Sequence, residues 1–288
     1  MWTACARNAI GLPRRRATLT DPVTAALIFG ILVGLSLGLT GGGGSIFAVP
    51  LLIYGLGLPL RDAVIISLAV VGTTALFGAA IQSRRPGLVL WGAGAMLGLG
   101  GIIGAPIGAK VGMALPDSLT LLLFSLLMFV IGIRMLRAGS SAAEIPLSWA
   151  TCARGEHGLP RFTPTCGGKL IAAGTVTGIL SGIFGVGGGF LVVPALMFVT
   201  GVSIERALAT SLVGIALISG AAFASNIFFE ARALPLGLTL VFLLGALGGM
   251  IAGSRFKHRL PAETLRRIFA VSVITLALVI AAKTVFFS

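Results

Sequence analysis

The sequence predicts an all-α polytopic membrane protein of two repeated helical halves, each holding a glycine-broken helix and a short half-helix, or re-entrant, arm. Three observations carry this prediction. Hydrophobic residues make up 57% of the 288 residues and charged residues only 10%, with a mean hydropathy of +1.08, so polar side chains are too few to coat a soluble globule of this length. Apolar stretches of about 17 to 25 residues recur along the chain, each long enough at about 1.5 Å per helical residue to cross a hydrocarbon core of about 30 Å. Finally, GLSLGLTGGGGSIFAVP, from Gly34 to Pro50, returns as GILSGIFGVGGGFLVVP, from Gly178 to Pro194.

The two copies pair at a shift of 144 residues: Gly34 with Gly178, Gly38 with Gly182, Gly41 with Gly185, Gly43 with Gly187, Gly44 with Gly188 and Pro50 with Pro194. The register continues through Gly57/Gly201, Ala63/Ala207, Ser67/Ser211 and Leu68/Leu212. After a one-residue insertion, at a shift of 145, Gly104/Gly249, Gly108/Gly253, Lys110/Arg255 and Leu115-Pro116/Leu260-Pro261 also pair. Repetition sustained over this distance fixes the plan of the chain before any single residue does. It divides the protein into a basic flank (1–20), a first repeat (21–137), a polar linker (138–169) and a second repeat (170–288).

The flank, Met1 to Thr20, carries Arg7, Arg14, Arg15 and Arg16 ahead of an apolar run. It resembles a signal peptide superficially, but a convincing small-residue cleavage site is lacking and the apolar run holds the first repeat copy, so a retained helix is expected. That helix, Val23 to Leu39, follows an Asp21-Pro22 start signal and stops at Gly41 to Gly44. Ile46 to Gly57, about 18 Å as a helix, is too short to cross comfortably and is expected to be the arm. Full helices follow over Ala63 to Ser83, Leu88 to Met113 and Leu119 to Leu136. In the second of these, Gly94-x3-Gly98 and Gly100-x3-Gly104 leave room for neighbouring backbones, the usual device for packing helices in lipid. The second half repeats the plan over Leu170 to Phe184, Phe190 to Gly201, Ala207 to Phe229, Leu234 to Phe256 and Thr264 to Phe287. If the arm crosses, each half has five crossings and the second half is upside down; if it turns back, each has four and the halves are parallel. Counting Lys and Arg on the two faces does not decide between these.

The net charge of +13 sits in short clusters between apolar runs, without an aromatic-interleaved basic surface. It reads as loop anchoring at anionic headgroups rather than as nucleic-acid binding. Cys152, His157 and Cys166 lie in one loop, but C-x4-H-x8-C is no zinc-finger spacing, so a solvated, tolerant connector without metal is expected. No cofactor is expected either.

Residues for catalysis are scarce. All eight acids (Asp21, Asp62, Asp117, Glu144, Glu156, Glu205, Glu230, Glu263) fall in expected loops or helix ends, which speaks against a buried carboxylate relay or a cation site. No histidine lies in a membrane segment to activate a nucleophile, so an enzyme is not expected. What remains at depth is backbone and hydroxyl. A glycine run inside an apolar segment frees amide N–H groups, and these are tolerable in hydrocarbon only against protein or a water-filled cavity. The arms place helix N-termini at both breaks, a combination that favours small anions. Candidate anion contacts are therefore Gly41, Gly43, Gly44 and Ser45 in the first break and Gly185, Gly187, Gly188 and Gly189 in the second. Hydroxyls on the following helices include Thr73, Thr74 and Ser219; of this group Ser67, Thr210, Ser211 and the costly Asn226 join the candidates, although most membrane hydroxyls only bond back to their own helix.

The segments GIFGVGGGFLVVP, ALATSLVG and GSRFKHRLPAETLRRIFAV, with GGGGSIFAVP and FSLLMFVIGIRML in the first half, resemble the sulfite exporter TauE/SafE family from about Val23 to Val285. The first copy departs from the second, with Gly42 and Ser45 standing where the second has Val186 and Gly189. The resemblance implies a multi-pass permease of the cytoplasmic membrane that moves sulfite, organosulfonates or related small sulfur oxyanions. The expected partners are that small anion and the lipid bilayer, with homo-oligomerisation left open. The competing class is a channel-like or structural membrane protein whose glycines serve only to pack helices.

Overall fold

The computed structural model describes residues 22–137, 152, 164–230, 235–256 and 262–287. The basic flank and most of the linker lie outside them. Among the described residues the chain is helical throughout, without strands. Its helices are α1 (Pro22–Thr40), α2 (Gly43–Gly55), α3 (Leu60–Gln82), α4 (Trp91–Ala114), α5 (Asp117–Arg137), α6 (Pro164–Phe184), α7 (Gly189–Thr200), α8 (Ile204–Glu230), α9 (Leu236–Phe256) and α10 (Ala262–Phe287). Seven of these are long and apolar enough to cross a membrane. The arm α2 starts two residues before Ser45, as a 3₁₀ turn that passes through an α-helical turn into a π-helical one.

Small residues decide which helices meet. Gly30, Gly34 and Gly38 press α1 onto the backbone of α9 at Phe242, Ala246 and Met250, in ascending order, so α1 and α9 run the same way. Gly174, Gly178 and Gly182 press α6 onto α4 at Leu97, Gly101 and Ala105, again in parallel. Alpha carbons this bare let two backbones approach to van der Waals contact, which is how helices associate where lipid removes the hydrophobic drive. The central pair, α3 and α8, is antiparallel: Gly72 faces Ser219, and Gly78 faces Leu212. Between α4 and α8 the order ascends again, with Gly94 at Thr210 and Val213 and Gly98 at Leu217. The first arm runs back along α1, since Gly44 lies on Ser36 and Leu37 while Gly55 lies on Phe29. Thus α1, α3 and α9 point one way and α4, α6 and α8 the other.

Burial follows from this arrangement. The α3 and α8 spans are 67% and 61% buried against 28% for α5, so α3 and α8 form the centre and α5 lies on the outside. Outward positions are apolar: Leu76, Ile103, Leu126, Phe228 and Leu244 are all exposed, a surface suited to acyl chains rather than to water.

Two expectations about the linker need correction. The helix α6 begins at Pro164, so Pro164–Lys169 belongs to the second helical set and not to the connector. Cys152 and Cys166 are not solvated: they are buried and joined by a disulfide, and the Cys152 amide donates to the Val199 carbonyl at the end of α7. The pair therefore fastens the linker across the ends of α6 and α7. His157, the third member of the loop cluster, lies outside the described residues; among those described, no group of metal-ligating side chains assembles.

Candidate functional site at the paired glycine breaks

The stretches 22–60 and 170–204, which contain both breaks, hold no charged side chain. Any charge met there must be met by backbone dipoles and hydroxyls. At the first break α1 ends on Gly41 (φ +67°), whose amide donates to Leu37 O. Most polar groups that follow are bound locally, the Gly42 and Gly43 amides excepted. Thr40 Oγ1 donates to Ser36 O at 2.7 Å and accepts from the Gly44 amide at 3.1 Å. Both the amide and the hydroxyl of Ser45 reach Gly42 O, at 3.3 and 2.8 Å. Gly43 begins the 3₁₀ turn and is buried.

At the second break Gly185 (φ +70°) donates to Ser181 O, and Gly187 and Gly188 follow with φ of +67° and +66°. Two consecutive left-handed residues are open to glycine at little cost and strained for any other residue. Gly188 caps α7, its carbonyl accepting from the amides of Leu191 and Val192. Among the described residues no acceptor takes the amides of Val186, Gly187 or Gly188.

The two breaks touch. A Cβ placed on Gly42 would stand 2.8 Å from Gly189 O, and one on Gly189 would strike Gly42 O. Each break also rests on the helix that follows the other: Gly41 on Leu208 of α8, Gly185 on Val64 of α3.

The comparisons with known proteins bear on this geometry. The profile described as "Sulfite exporter TauE/SafE" matches residues 26–280. The chain belongs to the TauE/SafE family. It is 34% identical to a "Probable membrane transporter protein" of Xylella fastidiosa strain Temecula1, over 86% of this chain and 91% of that one. It is 30% identical to the "Probable membrane transporter protein MamO" of Paramagnetospirillum magneticum, over 86% of this chain but 43% of that longer one. With the "Probable membrane transporter protein YdhB" of Bacillus subtilis it shares 25% identity, over 82% and 90% of the two chains. No solved structure matches at a significant level.

Within this TauE/SafE chain the hydroxyl candidates divide. Ser211 Oγ lies 2.7 Å from Gly41 O and 2.8 Å from Leu208 O, so its one proton serves either the first break or its own helix. Thr210 is occupied elsewhere, accepting from the Leu90 amide at 3.0 Å just ahead of α4. Asn226, the costly candidate, donates from Nδ2 to Ala222 O on its own helix at 2.8 Å. Asn226 also lines a water-sized cavity of about 10 Å³ with Arg61, Val64, Thr120, Gly182 and Ile183, beside the Gly185–Val64 contact. Ser67, the repeat partner of Ser211, is buried and has no hydrogen-bond partner, as do Thr74, Ser181 and Ser219. Thr73, by contrast, is exposed and bonds back to Ala69 O. A second, open groove of about 670 Å³ lies at the opposite end of α3, where Arg85, Thr200, Ser203, Glu205 and Arg206 line it.

Sequence reasoning weighed Ser219 without assigning it to a break, and it passed over Ser181. The signal for Ser181 was its position one turn before Gly185.

Proposed function

We propose that the protein is a permease, a secondary transporter of small anions, with sulfite, an organosulfonate or a related sulfur oxyanion as its cargo. The observation that carries this reading is the meeting of two glycine breaks at Gly42 and Gly189 in stretches without a charged side chain. Within those stretches the donors are amide dipoles, arm N-termini and hydroxyls, and they suit an anion that must be released as readily as it is bound. The family and the transporter names of the relatives agree with it.

In this reading the chain is two inverted halves, α1–α5 and α6–α10, related by a pseudo-twofold axis between the breaks. Support comes from the opposite directions of the helices that the sequence register pairs, α1 with α6, α3 with α8 and α4 with α9, and from the exchange of contacts, α1 on α9 and α6 on α4. Inverted halves that each grip the other are the architecture in which rocking about a central site gives alternating access. The cytoplasmic membrane is the expected location.

The test is uptake of labelled sulfite into proteoliposomes holding the purified protein. A carrier gives flux that saturates and is competed by other sulfur oxyanions. Flux that rises linearly and ignores competitors would favour the channel-like or structural alternative, in which the breaks do only what Gly34 and Gly178 do.

A further inference from the structure

We propose that the two breaks are not equivalent: the anion is held by the second, with the Ser219 hydroxyl and the amides of Val186 to Gly188 as donors, and the first is its structural counterpart. This rests on the reading of the breaks as an anion site and says which half of that site binds.

Most polar groups of the first break are already engaged; its Gly42 and Gly43 amides alone have no acceptor among the described residues. Gly41 N, Gly44 N, Ser45 N and Ser45 Oγ each have an acceptor, and Gly41 O has the Ser211 hydroxyl. The second break is the less engaged of the two. Its central amides have no acceptor among the described residues, and Ser219 Oγ, fully buried and without a partner, stands 2.5 Å from where a Cβ of Gly187 would be.

A serine inside a helix ordinarily bonds back to its own backbone. Ser225, on the same helix as Ser219, does so with Ala221 O. Ser219 instead turns its hydroxyl to Gly187. A buried, unsatisfied donor is costly, and one set beside three unsatisfied amides has the arrangement of a ligand shell. Ser181, one turn before Gly185, adds a second buried hydroxyl without a partner. The asymmetry is written in the sequence, since the register places Ala75 and Leu37 where the second half has Ser219 and Ser181. Donors from α8 and the break, with Ser219 Oγ beside Gly187, suit an oxyanion, whose oxygens accept separately, better than a single-atom halide.

The test compares Ser219→Ala, Ser219→Thr and Ser211→Ala in detergent, reading sulfite affinity by calorimetry and the melting temperature of each protein. Ser219→Ala should melt at or above the parent temperature, because an unpartnered hydroxyl stabilises nothing, while its sulfite affinity falls roughly tenfold or more, the loss expected for a hydrogen bond to a charged group. Ser219→Thr should restore affinity. Ser211→Ala should melt lower and, per folded molecule, bind within about twofold of the parent, its lost bond being structural. A parent that binds sulfite and a Ser219→Ala that binds it equally well would overturn the inference while leaving the anion site standing. A parent that binds no sulfur oxyanion at all would overturn both. If Ser219→Ala does not fold, Ser219→Cys, close to serine in size but a weak donor, carries the same expectation, and unchanged affinity there would equally count against it.

Discussion

Thr210 illustrates how little a hydroxyl's position in the sequence says about its use. It stands beside Ser211 on α8 and was a candidate for the anion, yet its oxygen accepts the Leu90 amide and so fastens the start of α4. Thr210→Val should therefore cost about 1 kcal/mol or more of stability by orphaning that amide, read as a lower melting temperature, and leave sulfite affinity per folded molecule unchanged. A loss of affinity with an intact melt would return Thr210 to the site. The glycines were legible because φ near +67° at Gly41 and Gly187 excludes most alternatives, and because two copies of a break mark each other. Ser219 was not, since a linear pattern cannot tell which rotamer a helical serine adopts. The same holds for Asn226, whose demand for a partner was readable but whose choice of Ala222 O was not.

Between helices, bare alpha carbons set the contacts, and contacts that correspond under the repeat should fail alike. Gly34→Leu would drive a side chain into the backbone of α9 at Ala246, and Gly178→Leu into that of α4 at Gly101. Both variants should give little folded protein by fluorescence size-exclusion chromatography, and a large difference between them would argue against equivalent halves. The helices themselves were plain in the hydropathy, with most ends placed within a few residues. The direction of the second half was not, because an arm of about a dozen residues fits either a crossing or a return; only the ascending contacts of α1 with α9 and the antiparallel pairing of α3 with α8 separate the two. The disulfide was missed for a related reason. Two cysteines 14 residues apart are close in sequence whether or not they meet, and their burial against the end of α7 is a tertiary fact. Replacing both with Ser should destabilise the fold by about 3 kcal/mol in the chain-entropy account, read as a lower melting temperature, while transport per folded molecule stays at the parent level. A specific loss of transport would make the linker part of the mechanism.

Across the whole molecule the described cations are unequally shared. Arg84, Arg85, Arg134, Arg137, Lys169, Arg206, Arg255 and Arg267 lie towards the end where α3 finishes, and Arg61, Lys110 and Lys283 towards the other. The positive-inside rule then puts the first end in the cytoplasm. That end also carries the Cys152–Cys166 bond, which a reducing cytoplasm would keep open except under oxidation, so the two signals oppose each other and the larger, spread over eight residues, is expected to prevail. Fusions made after Arg137 should fluoresce with green fluorescent protein, and fusions after Ala114 should show alkaline phosphatase activity; the reverse pattern would invert the orientation and make the disulfide permanent. The central claim is that the glycine breaks bind the anion rather than merely pack helices. It is tested most directly by sulfite binding per folded molecule in Gly187→Val, set beside Gly104→Val. At Gly187 a β-branched side chain meets a φ of +67° and the Ser219 hydroxyl, whereas at Gly104 it meets the α6 backbone at Thr175. The account predicts that folded Gly187→Val binds no sulfite, while Gly104→Val yields less folded protein that binds as the parent does. A well-folded Gly187→Val that binds sulfite as tightly as the parent would contradict it.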